Sequence, residues 1–108
     1  MTKSQKIALL RTLSSNRVLP IELFYDVLEQ CGDLKTNYRD YILSHPIDCE
    51  QELLRLSNAD YDLCSALLTM LLREDHFDNG IFDERQHAGQ VKSIVDRMLF
   101  LLHDKTKA

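Results

Sequence analysis

His76 ends a polar run, Arg73, Glu74, Asp75, His76, that follows a strongly apolar stretch; Phe77 comes next and Gly80 turns the chain. Carboxylates beside an imidazole raise its pKa, and a raised histidine is a proton donor near neutral pH. Acid–base chemistry is therefore the first function this corner offers. A calcium loop is the second, because Asp75, Asn79, Gly80 and Asp83 take the first, fifth, sixth and ninth positions of an EF-hand frame. That frame fails at its third position, Phe77, and at its twelfth, Gln86, where the bidentate carboxylate belongs. Glu84 and His87 make a single E-x-x-H, half of a helical carboxylate iron site, and no second copy completes it. The chain has no G-x-S-x-G elbow, no phosphate-cradling glycine loop and no H-E-x-x-H pair. No metal and no cofactor are expected, and no catalytic residue is assigned.

The structural reading of the same corner is simpler. A helix surrounded by other helices must surface somewhere, and Arg73 to His76 mark where this one does. Arg73 is expected to be a partly buried clamp, hydrogen-bonding the last helix carbonyls and gripping a carboxylate with its planar fork. Phe77 is expected to return to the core and cover the stem of Arg73. Asp78, Asn79 and Gly80 supply turn chemistry, with Gly80 free to take a positive φ, and Ile81 and Phe82 pack before the next helix. His45, His87 and His103 read as ordinary surface histidines.

Cysteine usage points the same way. Cys31, Cys49 and Cys64 are an odd count with no C-x-x-C, which suggests reduced thiols rather than a disulfide framework or zinc ribbon. Cys64 shares helical spacing with Leu67, Leu68 and Leu71 and reads as core filler.

Charge is unevenly spread. The net of −4 combines an N-terminal segment holding Lys3, Lys6, Arg11 and Arg17 with no acid, and residues 22–62, where ten acids face only Lys35, Arg39 and Arg55. Four cations without interleaved aromatics are a weak nucleic-acid signal, and the acidic remainder repels a polyanion. These residues read as a solvated helix face.

Which elements position the corner follows from the periodicity. With 108 residues, 44% hydrophobic, two prolines and three glycines, the chain suits one domain with a core that needs no staple. Ile7, Leu9, Leu10 and Leu13 mark a first helix ending at Ser14, Ser15 and Asn16. Pro20 opens a second, with Leu23, Phe24, Val27 and Leu28 on one side and Gly32 closing it. A third carries Tyr38, Tyr41 and Ile42 and stops before Pro46. Asp48 with Gln51 reads as a capping box for a fourth through Leu53, Leu54 and Leu56; Ser57 with Asp60 does the same for a fifth, from about Asn58 to His76. Asp83 with Gln86 opens a sixth, along which Val91, Ile94, Val95, Met98, Leu101 and Leu102 recur. No segment alternates as a strand does. The expectation is an all-α, single small globular domain of about six short helices packed at varied angles, with the fifth at its centre: residues 1–17 a basic helix and connector, 18–102 the core, 103–108 a polar tail. No apolar run approaches the roughly 20 residues of a membrane span, and the N-terminus does not read as a signal peptide, so a cytoplasmic protein is expected.

The apolar helix ending in Arg73-Glu74-Asp75-x-Phe77-x-x-Gly80, followed by Gly89 and by Val91, Ile94, Val95 and Arg97, resembles a family of small bacterial proteins of unknown function. Leu19, Pro20, Tyr61, Asp62 and Cys64 look similar too, and the resemblance covers residues 18–102. It implies a bacterial source and a domain-wide fold, but no activity. Where that family carries an Arg and a Cys-Glu pair, this chain has His76, Asp78 and Asn79, so no thiol or metal role on the turn is carried over.

Three functions remain. The leading one is a non-enzymatic helical module, an adaptor or regulator that binds another protein, itself with scope to self-associate. The second is a small enzyme using Arg73, Glu74, Asp75 and His76. The third is a weak nucleic-acid binder using Lys3, Lys6, Arg11 and Arg17.

Overall fold

Thr2 opens the first helix through a reciprocal bond written in the sequence as T-x-x-Q. In the computed structural model, which describes residues 2–15, 17–34 and 49–104, the Thr2 hydroxyl accepts the Gln5 N–H at 3.2 Å while the Gln5 side-chain oxygen accepts the Thr2 N–H at 2.9 Å. This capping box starts α1 (Lys3–Arg11), and it is a signal the periodicity reading passed over. Helix α2 (Ile21–Cys31) begins after Pro20, whose backbone is extended, and ends at Gly32 with φ 75°. There the Gly32 N–H reaches Glu29 O at 3.1 Å and the Asp33 N–H reaches Leu28 O at 2.9 Å, the paired closure that only a left-handed residue permits cheaply.

The expected helix around Tyr38, Tyr41 and Ile42, and the Asp48 cap, lie outside the described residues. Helix α3 (Cys49–Leu54) leads into a 3₁₀ turn (Leu56–Asn58). Leu53 and Leu56 pack on the core, but Leu54 is 81% exposed. Helix α4 (Tyr61–Glu74) is shorter at both ends than its apolar pattern suggests. Ser57 and Asn58 are used up by the 3₁₀ turn, so no capping box forms; Asp60 alone caps the helix, its Oδ1 accepting the Leu63 N–H at 2.8 Å.

The expected sixth helix is two helices, α5 (Ile81–His87) and α6 (Gln90–Asp104), broken at Gly89 with φ 80°. The Asp83–Gln86 spacing is not a capping box, because the Gln86 side chain bonds elsewhere, to Leu19. Gly80, φ 96°, is the residue before α5, as its place in the turn predicts.

Every described element is helical, which makes this an all-α fold. Helix α4 sits at the centre: Cys64, Ala66, Leu67, Leu68, Leu71 and Leu72 are wholly buried, chiefly against α6 with its Ile94, Val95 and Met98. Each buried leucine stabilises the fold by roughly 1.5–3 kcal/mol, so α4 dominates the core. Helix α1 packs on α6 through Leu10, and Leu13 is buried just beyond its end. The Phe24 ring of α2 meets Phe82 of α5 edge-on, centroids 4.9 Å apart and planes at 77°, which ties α2 to the corner. Two polar residues are buried on α4, and the helix satisfies both: Thr69 Oγ1 donates to Ser65 O at 2.9 Å, Ser65 Oγ to Tyr61 O at 3.2 Å. No helix among the described residues is long and apolar enough to cross a membrane.

Candidate functional site

Helix α4 ends at Glu74, and the next six residues must carry the chain round into α5. Asp75 holds that turn. Its Oδ1 accepts the Gly80 N–H at 3.0 Å and the Phe82 N–H at 3.1 Å, satisfying a donor in the first turn of α5 that no helical carbonyl reaches. Glu74 points the other way, into the guanidinium of Arg85. Arg85 Nε and Nη2 each lie 3.0 Å from a Glu74 carboxylate oxygen, and its Nη1 adds Glu50 at 3.0 Å and Gln90 at 2.9 Å. The Arg85 side chain is only 13% exposed and joins α4, α5 and the start of α6 at a half-buried Glu74, while its link to α3 ends at Glu50, which is 68% exposed.

A largely enclosed guanidinium fork on a carboxylate is thus found at Arg85, one helix later, whereas the partial burial expected of Arg73 is not. Arg73 itself is exposed: it lies on the solvent face of α4's last turn, while Glu74 is directed toward α5. Phe77 is a second correction. It is 90% exposed and does not enter the core; the buried aromatic of this corner is Phe82, at 1% exposure.

His76 is exposed and meets α2. The Tyr25 hydroxyl lies 3.3 Å from Leu72 O and 3.3 Å from His76 Nε2. Its one proton goes to the carbonyl, which has none to give, so satisfying both contacts requires the proton of His76 on Nε2. Burial holds the Tyr25 pKa above its ordinary value; Arg73 opposes that and Asp75 adds to it. A phenol held in its neutral form is a poor base.

Between α2 and the turn runs a groove of about 360 Å³ lined by residues 18–22 on one side and by Asp75, Asn79, Gly80, Phe82 and Asp83 on the other. A smaller recess of about 110 Å³ continues from it under Tyr25, Leu72 and His76, sharing Ile21 and Asp75. Gln86 fixes the first wall to the second: its Oε1 accepts the Leu19 N–H at 2.8 Å and its Nε2 donates to Leu19 O at 2.9 Å, as a neighbouring strand would. Of the four polar residues the sequence singles out, Asp75 and His76 line these hollows, whereas Glu74 is spent on Arg85 and Arg73 is not part of either lining. Gly80 lines the groove and Phe77 projects from the same turn.

Sequence reading missed Arg85 and Tyr25 and gave Gln86 a capping role it does not have; the partners of the three lie 11, 47 and 67 residues away along the chain. No local spacing encodes such pairs. Asp75 was readable, as an Asp placed to cap a turn that ends in glycine.

The other titratable clusters are structural. Lys6 lies 3.2 Å from Asp33, whose other oxygen accepts the Tyr61 hydroxyl at 2.6 Å, and its ammonium stands 4.6 Å over the Tyr61 ring. Burial first, then the bond to Asp33, drives the Tyr61 pKa far above its ordinary value. Arg11 approaches His103 at 3.5 Å. Two of the four N-terminal cations are thus engaged within the chain, while Lys3 and Arg17 are exposed. Cys64 is fully buried and its thiol is pushed up to about 12, so it is core filler and not a nucleophile. Among the described residues no group of three His, Cys, Asp or Glu is placed to hold a metal ion.

No protein-family model matches this chain, and no curated protein or solved structure matches it.

Proposed function

We propose that the chain is a non-enzymatic protein-interaction module, an adaptor or regulator, that docks another protein at the corner between α2 and the α4–α5 turn. One observation carries this: the turn that forms one wall of the groove of about 360 Å³ also carries Phe77, a phenyl ring 90% exposed. A lone exposed aromatic is common, but one on the turn that walls an open groove, with an exposed Val18 in the opposite wall, offers a partner both an apolar anchor and a hollow. The resemblance of the Arg73 to Gly80 segment supports a bacterial source, and the odd number of thiols supports a reducing cytoplasm.

A small enzyme is the weaker reading. It needs Arg73, Glu74, Asp75 and His76 around one cleft, and only Asp75 and His76 border the hollows. A photo-crosslinking amino acid at position 77, compared with one at exposed position 93 on α6, tests the docking reading in the source cell. A discrete protein adduct at 77 and none at 93 is the expected outcome. Adducts at neither position, or equally at both, would remove the corner as the docking surface.

A further inference from the structure

The rim of the corner groove is acidic, and among the described residues no cation pairs with it, whereas several acids elsewhere do have a cationic partner. Asp33 has Lys6, Glu74 and Glu50 have Arg85, and Asp96 has Lys92. Glu22 and Asp83, which flank the groove from opposite walls, are exposed and pair with no cation among the described residues. Asp78 projects from the same turn and is also exposed. The groove between them offers apolar surface from Val18, Leu19 and Ile21.

We propose that the occupant is a segment of another protein presenting a Lys or Arg next to an apolar side chain, the cation meeting Glu22 and Asp83 while the apolar group enters the groove. This rests on the corner being a docking surface. Charge decides between occupants. A second copy of the chain, related by a two-fold axis through the corner, would set Glu22, Asp78 and Asp83 against themselves. Nucleic acid and anionic lipid would be repelled for the same reason. A cationic segment gains at both stages: the uncompensated carboxylates attract it over about a Debye length, roughly 8 Å at physiological salt, and fix its register once docked.

The test pans a phage-displayed random-peptide library on the full chain and measures synthetic copies of the selected peptides by fluorescence anisotropy. Wild type is compared with a Glu22→Gln, Asp83→Asn double variant, with Val18→Ser and with Phe77→Ser. All four positions are exposed, and circular dichroism verifies that each variant is folded. Selected peptides should share a Lys or Arg beside an apolar residue. They should lose about tenfold in affinity on the double variant at low salt, with the gap narrowing as salt rises, and should weaken on Val18→Ser as well. Peptides that lack a cation, or that bind the double variant as tightly as wild type, overturn the cationic partner; if they still weaken on Val18→Ser or Phe77→Ser, the docking surface itself survives. A library that yields no binder sensitive to any corner variant overturns both. A concentration-dependent dimer in sedimentation that Phe77→Ser abolishes makes a second copy the occupant and overturns the proposal.

Discussion

Arg85 and Glu74 meet at two points, Nε to Oε1 and Nη2 to Oε2, each at 3.0 Å, the two-pronged pairing that a guanidinium makes with a carboxylate. Because Arg85 is nearly out of water, deleting it leaves the half-buried Glu74 carboxylate and the Gln90 amide without their partner, while Glu50, 68% exposed, is taken up by water. Arg85→Ala should cost about 2–3 kcal/mol in urea melts, and Arg85→Lys should recover only part, since an ammonium cannot fill the fork. Arg73→Ala, at an exposed position, should cost less than about 1 kcal/mol. Equal losses at Arg73 and Arg85 would return the clamp to α4.

Asp75 is the second structural anchor of the corner. Asp75→Ala leaves the Gly80 and Phe82 N–H groups without their acceptor and should destabilise by about 1–2 kcal/mol; Asp75→Asn keeps an acceptor oxygen and should lose less than half of that. His76→Ala serves as the neighbour control and should change the urea midpoint little. A neutral Asp75→Ala would mean that water caps α5 as well as the carboxylate does.

Gln86 should report through hydrogen exchange. Gln86→Leu removes both bonds to Leu19, so the Leu19 amide should exchange faster while the α4 amides keep their protection. The expected loss of stability is about 1–2 kcal/mol. Unchanged Leu19 protection would show that the connector is held by packing alone.

Alkaline pH should weaken the fold. Burial pushes the Cys64 thiol from 9.0 up to about 12 and also raises Cys31, Tyr25 and Tyr61, with Asp33 adding to the rise at Cys31 and Tyr61. The folded chain thus holds these protons more tightly than the unfolded chain. Their contribution to stability is fully present below the unfolded thiol value of about 9 and is lost as pH climbs through the folded values. Urea midpoints should fall from about pH 9 upward, and Cys64→Ala should fall less steeply. A midpoint that stays level or rises between about pH 9 and 11 contradicts this assignment. In native buffer Cys64 should resist iodoacetamide and react only once unfolded.

Much of the fold was legible because its signals are local. Pro20 and Gly32 bracket α2 through their own backbone preferences, and the apolar residues of α4 recur too densely for any exposed helix. The break at Gly89 was harder: one glycine costs a helix only about 1 kcal/mol, so sequence alone leaves a continuous helix plausible. What decides it is tertiary, since Gln86 turns to Leu19 and Arg85 to Glu74 before the chain reaches Gly89. The corner shows the same division. That it would be polar, turn at Gly80 and bury Phe82 could be read directly. Which arginine would be enclosed, and that Phe77 would face outward, depends on how α5 lies across the end of α4.

The two Gln86 bonds to Leu19 have a consequence for binding entropy. They join the α2-side wall of the groove to α5, so its width is set before any ligand arrives. A docking segment would then lose its own conformational freedom but would not have to order the walls that receive it, which favours a slot selective for side-chain size over one that reshapes itself around many. Cutting that amide link would relax the slot, and a relaxed slot accepts more shapes, each more loosely.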